Sequence, residues 1–250
     1  PLAEHVPAAP GAAAVAVGVV RSARRRSLAI HVSPLGEVEV RAPLRTDSRD
    51  IAAFLDRHRD WVLRKVEAAR AAPPWQPDWR AGGDWYWRGE PLRLCAGGRR
   101  GGELRADGLY LPLTAGATAA DWRRQVFGWH RRAAQPLLAA RAGELFAQHC
   151  GGHRLVAIEL RWMRATWATC GGRRALDGRR DVRLRLNPWL AALPPLLCDA
   201  VLLHELAHVE HMHHGAAFYR RLVKLNPDWR EHDEALRDWS RRLLPVAARG

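Results

Sequence analysis

Five of the chain's twelve histidines fall in the run VLLHELAHVEHMHHGAAFY (residues 201–219): His204, His208, His211, His213 and His214. The run contains His204-Glu205-Leu206-Ala207-His208, an H-E-x-x-H pattern that random placement of these residue types would produce roughly 0.03 times in a chain of this length. Residues four apart share a helix face, one turn above the other. On a helix, His204 and His208 therefore converge on a single Zn2+ ion, each nitrogen at about 2.0–2.1 Å. Glu205, turned by about 100° from His204, does not ligate and instead reaches the attacking water as general base.

A catalytic zinc needs a third protein ligand and keeps its fourth position open for water. His211 shares the face of His208, but on a continuing helix it lies about 7.5 Å beyond the midpoint of the first pair. His214 is on the wrong side of an unbroken helix and becomes the natural third ligand if the chain turns back after His211. Gly215 offers a permissive place for that bend. The expected triad is His204, His208 and His214, with His213 as second choice and His211 as a neighbour. A purely structural zinc would want a fourth protein ligand, from Cys198 or Cys170, and would leave the interposed Glu205 without a purpose.

The elements that must hold this constellation are legible nearby. PPLLCDAVLLHELAHVEH begins with proline, suited to a first helical turn, and Leu202, Leu203, Leu206 and Ala207 pack it into a core, which fixes the ligand face. Helical pieces follow around residues 216–225 and 228–243. LVAIELRWMRATWATC and DVRLRLNPWL read as two strands joined by a glycine- and arginine-rich turn over 171–180. Upstream, a long helical stretch covers about 117–150, bent or divided at Pro136.

In the first half, Leu28, Ile30 and Val32, then Val38, Val40 and Ala42, alternate across a Pro34–Gly36 turn, a hairpin signature. One helix over 46–72 follows, capped within 46–48 and stopped by Pro73, Pro74 and Pro77. Glycine-bounded short strands occupy GGDWYWRGEPLRLCAGG and GGELRADGLYLPL.

Composition bounds the partners. The 250 residues are 48% apolar and 26% charged, with 40 Lys+Arg against 26 Asp+Glu, a net charge of +14. The excess is mostly arginine, whose fork suits phosphates and carboxylates, so a polyanionic partner such as nucleic acid is a candidate beside a protein or peptide substrate. Four cysteines without C-x-x-C spacing point to reduced thiols and a cytoplasmic setting. No run of 18 apolar residues exists, so no membrane span is expected. Residues 1–20, broken by Pro and Gly and lacking a basic segment, read as a loose tail and not as a signal peptide. The twelve tryptophans are expected in packing.

The quoted pieces resemble the YgjP-like zinc metallopeptidases, relatives of the SprT-type H-E-x-x-H peptidases. In that family a pattern close to R-W-G-S-C precedes an L-N strand end, then H-E-L-x-H and N-H-S-x-x-F-W. Here the matching pieces are MRATWATC, LRLN, HELAH and HHGAAFY, with RRRSLAIHVSPLGEVEVRAP, FLDRHRDWV and WRGEPLRL similar to the family's amino-terminal half. The resemblance implies an α+β fold with a zincin-like catalytic domain, a short mixed sheet plus an active-site helix. It also aligns His214 with the family's third ligand. The expected layout is a tail over 1–20, a β-rich region with one helix over 21–115, and the metallopeptidase domain over 116–250. Thr166, Ala168 and Thr169 stand where the family has Arg, Gly and Ser; Gly215 replaces a serine and Tyr219 a tryptophan. None of these touches the triad or Glu205. Trp167 and Cys170 are kept and are expected to pack beneath the zinc helix.

The expected chemistry is peptide hydrolysis, with an extended substrate lying along DVRLRLN by backbone pairing. Two alternatives accompany it. The same centre could hydrolyse a phosphoanhydride such as a nucleoside triphosphate, although no Walker-type loop is present to hold the phosphates. Alternatively, the chain could be a basic DNA-associated module with a vestigial zinc site.

Overall fold

The structure, a computed structural model, describes residues 4–6, 15–33, 35–71, 75–114 and 116–247. The chain divides into two compact units, Pro1–Pro74 and Trp75–Gly250. In the first, β1 (Glu4–Val6), β2 (Val15–Ser22), β3 (Ala29–Val32) and β4 (Val38–Pro43) form a sheet in the order β1-β2-β4-β3. β3 and β4 are the expected antiparallel hairpin, with Ile30 opposite Val40. Gly36 in their turn has φ of 79°, a conformation glycine adopts without penalty; Pro34 lies outside the described residues.

The stretch 1–20, expected as a loose tail, is strand wherever it is described, residues 1–3 and 7–14 lying outside. Val15 and Val17 alternate into the core, and β2 runs parallel to β4. The single helix expected over 46–72 is two, α1 (Ser48–Arg57) and α2 (Arg59–Ala71). The Asp47 carboxylate caps α1 by accepting the Arg49 N–H at 2.8 Å. At His58 the backbone leaves helical geometry, and the ring Nδ1 donates to the Phe54 carbonyl at 2.8 Å, competing locally with the helical ladder. Ile51, Leu55, Val62 and Val66 close over Val38 and Val40. Pro73 and Pro74, expected to stop this segment, lie outside the described residues.

The second unit opens with a four-stranded sheet, β5 (Asp84–Trp87), β6 (Glu90–Cys95), β7 (Glu103–Arg105) and β8 (Gly108–Tyr110), in the order β5-β6-β8-β7. The expected boundary near residue 115 instead falls after Pro74. The reason is packing: Trp85, Leu94, Leu109 and Leu111 are fully buried in the same core as Trp122, Val126 and Leu138. Those last three belong to α3 (Ala119–His149), which starts with a Thr118–Asp121 capping box and runs undivided through Pro136.

β9 (Arg154–Leu160), β10 (Ala168–Arg174) and β11 (Arg180–Leu186) make a mixed sheet in the order β10-β11-β9, antiparallel and then parallel. The run 155–170, expected as one strand, is thus two strands separated by a loop. Apolar alternation fails over Arg161-Trp162-Met163-Arg164, and the buried Asn187 side chain holds that loop, donating through Nδ2 to the Met163 and Thr166 carbonyls at 2.9 and 3.0 Å. A one-turn helix (Pro188–Ala192), α4 (Pro195–Glu210), α5 (Ala216–Leu225) and α6 (Trp229–Ala247) complete the unit. The architecture is α+β, with a short mixed sheet against the histidine-bearing helix. No helix among the described residues is long and apolar enough to cross a membrane.

The tryptophans do pack, and they do so around one histidine. His130 of α3 is fully buried, with the rings of Trp85, Trp87, Trp162 and Trp189 within 5.7 Å of its own, centroid to centroid. Trp85 Nε1 donates to His130 Nδ1, so the proton sits on Nε2, which donates to the Pro188 carbonyl; both bonds are 2.9 Å. Burial pushes the His130 pKa from its usual 6.5 down to about 4. The folded state therefore holds the neutral ring, and its contribution is complete above the unfolded pKa. It is lost as pH falls from 6.5 towards 4, by on the order of 3 kcal/mol. Thermal unfolding between pH 7 and pH 4 should show this acid loss in the native chain and a correspondingly flatter profile in His130→Gln; identical profiles would contradict it.

Candidate metal centre

α4 is apolar nearly all round because it is buried nearly all round, against β10, α3, α5 and α6. Leu202, Leu206, Ala207 and Val209 are sealed in the core, whereas His204 and His208 are half-buried on its open side. The helix ends at His211, whose backbone is extended (φ −130°, ψ 96°). The Gly215 N–H then bonds the His213 carbonyl at 2.7 Å, and α5 starts at Ala216. Gly215 itself has an ordinary extended backbone (φ −88°, ψ −178°), so its conformational freedom is not what makes the bend. It sits at the N-cap of α5, a position without a side-chain cap here and one that the serine of the resemblance pattern would fill.

This return brings His214 back over α4. His214 Nε2 lies 3.2 Å from His204 Nε2 and 3.1 Å from His208 Nε2. Ligand atoms at about 2.0–2.1 Å around a tetrahedral ion stand about 3.3 Å apart, so this spacing fits a zinc site. Among the described residues, these three are the one group of His, Cys, Asp or Glu side chains arranged to hold a metal ion. His211 and His213 are not in it, nor are Cys170 and Cys198, the candidates for a fourth protein ligand. His211 contributes through its backbone: its carbonyl accepts from His208 Nδ1 at 3.1 Å, which leaves the lone pair on Nε2, facing the cluster. Fully buried Phe218 lies beneath all three rings, at 5.1, 4.6 and 4.6 Å.

The electrostatics favour ligation. Burial, reinforced by the neighbouring imidazoles, lowers His204 to about 4, and burial also lowers His208. Both are neutral near pH 7, the form that binds metal. Glu205 is 8% exposed, and burial lifts its carboxyl to about 7 despite a hydrogen bond from the Cys170 backbone N–H that works the other way. Burial, with the Glu205 charge second, pushes the Cys170 thiol up to about 12, so it stays protonated near neutral pH, and it lies outside the histidine cluster.

His204, Glu205 and His214 open onto a cleft of about 440 Å³. One side is the 166–168 segment, and the other is α6 with Trp229, His232, Asp233, Leu236 and Arg237. Trp167 Nε1 donates to Ser240 Oγ at 2.8 Å, tying the two sides together. The α6 residues escaped the sequence reading because no local spacing links them to H-E-x-x-H; only the fold brings them to the site. β11, expected to take an extended substrate, is paired on both sides, whereas β10 is an edge strand with no second strand partner among the described residues, and it runs beside Glu205.

Arg221 of α5 supports the return loop from behind. It donates to the His149 carbonyl at 2.7 Å and pairs with Glu210 at 2.9 Å, joining α5 to the ends of α3 and α4. Because groups that orient ligands typically change metal affinity by about 10–100-fold, Arg221→Ala should weaken zinc at least tenfold in a competitive chelator titration while the chain stays folded. Unchanged affinity would show that the loop holds itself.

No curated protein and no solved structure significantly matches the chain. The family model described as YgjP-like, metallopeptidase domain, matches residues 26–238, which is most of the 250. The chain therefore belongs to the YgjP-like metallopeptidase family.

Proposed function

We propose that the chain is a zinc-dependent metallopeptidase in which His204, His208 and His214 hold Zn2+ and Glu205 is the general base. The observation that carries this reading is the convergence of His214 Nε2 on the Nε2 atoms of His204 and His208, at 3.2 and 3.1 Å, beside the buried Glu205 carboxyl. A Zn2+ ion held there supplies Lewis acidity, polarising a scissile carbonyl and making water acidic near neutral pH. The residues do the rest. His208 Nδ1 is committed to the His211 carbonyl, so its Nε2 remains a donor of electrons throughout. The Glu205 carboxylate takes the proton of the attacking water and passes it to the leaving amine, its burial raising its basicity for the first of those steps. The Cys170 N–H holds the carboxylate in place. The open edge of β10 gives an extended peptide a backbone to pair with beside the cleft.

The test is metal analysis of protein purified without chelator or nickel resin, joined to an assay of unfolded-protein substrates beside a panel of nucleoside triphosphates. One zinc per chain with chelator-sensitive proteolysis is expected. Triphosphate hydrolysis without proteolysis would transfer the site to phosphoanhydride chemistry. Steeply salt-dependent DNA binding without either activity would point to the binding-module reading.

A further inference from the structure

A second cleft, of about 320 Å³, lies along the amino-terminal half of α4. Its residues from that helix, Pro195, Cys198 and Asp199, are turned by about 120–180° from His204, so it is separate from the metal centre. Leu137 of α3 and Pro195 of α4 give it an accessible apolar lining, backed by the buried Leu138, Leu190 and Leu193. Three charged residues border it: Arg88, Arg141 and Asp199. Arg141 is already committed. It donates to both carboxylate oxygens of Asp199 at 2.8 and 2.7 Å, and to Glu144 at 2.6 Å. Arg88, exposed at the rim, has no ion pair and no side-chain hydrogen bond among the described residues. With Glu144 counted, the charges about the cleft balance, and Arg88 is its one cation not engaged by a carboxylate among the described residues.

The backbone at Arg88 is the second observation. Among the described residues it is the one non-glycine with positive φ, at 53°. It opens the two-residue turn Arg88–Gly89 between β5 and β6, where Gly89 has φ of 90°. Such turns select Asn, Asp or Gly at the first position, because a longer side chain is strained there. The turn cannot relax: the Arg88 and Gly89 N–H groups donate to the Ala191 and Ala192 carbonyls at 2.8 and 2.9 Å, and a Cβ on Gly89 would meet Pro194 at 3.0 Å. A long cationic side chain is therefore kept at the cleft mouth at a conformational cost, and strain of this kind concentrates where ligands are held.

We propose that this cleft binds a small carboxylate with an apolar tail, the tail lying on Leu137 and Pro195 and the carboxylate on the Arg88 guanidinium. A volume of about 320 Å³ is at the lower end of small-molecule sites, which suits a chain of several carbons.

The test is calorimetric titration of the full chain with octanoate and with octanol, each with and without EDTA, for the native sequence, Arg88→Ala and Arg88→Gly. Octanoate should bind in the millimolar range or tighter, independently of EDTA. Either variant should weaken it by about tenfold, the scale of one charge-assisted hydrogen bond. Octanol should bind more weakly and alike in all three proteins. Arg88→Gly should also raise the ligand-free Tm by about 2 °C by relieving the turn, whereas Arg88→Ala should not. Octanoate binding that EDTA abolishes belongs to the histidine cluster and overturns the proposal, as does equal binding to both variants, equal affinity for octanol, or no binding at millimolar octanoate.

Discussion

Glu205→Gln is expected to lose between about 10² and 10⁴ in kcat/KM while binding a full equivalent of zinc. The two side chains have the same shape, so the amide occupies the same space on α4 and its oxygen still accepts the Cys170 N–H. What disappears is the ability to accept a proton from water and return it to the leaving amine. Metal retention is expected because the proposed ligand set is three imidazoles and includes no carboxylate. Stability should hold or rise slightly, because the native carboxyl is buried and its charged form is disfavoured by that burial. The measurements are metal stoichiometry and turnover of an unfolded-protein substrate on the same preparation. Native turnover in the variant would remove Glu205 from the chemistry, and loss of zinc would recast it as a structural residue.

How far the site could be read in advance depended on whether its parts are local in sequence. His204, Glu205 and His208 sit on one helical turn, so spacing alone relates them. Axial rise along a continuing helix counted against His211, but spacing left His214 and His213 both open; the return of the chain places His214 by the pair, with His213 outside the cluster. The break at His211 is made by the chain leaving helical geometry there, with the His208 ring bonded to the freed carbonyl; no glycine with special φ is involved. The α6 wall of the cleft was not legible, because Trp229, His232 and Asp233 reach the site only after two further chain reversals. Nor was the identity of the open edge. β10 and β11 have similar strand texture, and only the pairing of β9 on the far side of β11 leaves β10 free. The division after Pro74 was hidden for a related reason. The apolar residues of β5 to β8 announce burial without saying which core receives them, and they join that of α3.

His214→Ala carries the second large effect, and comparison with its neighbours makes it decisive. With two imidazoles left on α4, the cluster loses one of three ligands, and zinc affinity should fall by more than the roughly 100-fold that loss of a merely orienting group can cost. Proteolysis at limiting zinc should fall with it. His213→Ala and His211→Ala remove rings that lie outside the cluster. The contribution of His211 to the site is its backbone carbonyl, which alanine retains, so both variants should bind zinc within a few-fold of the native chain. The fold should survive His214→Ala, because the exposed His214 ring lies over Phe218, whose burial holds α5 against α4. Circular dichroism therefore separates loss of metal from loss of structure, and a chelator-competition titration reads the affinity. If His213→Ala or His211→Ala costs as much zinc as His214→Ala, the third ligand has been misassigned. If none of the three does, the pair on α4 holds the ion with some other group.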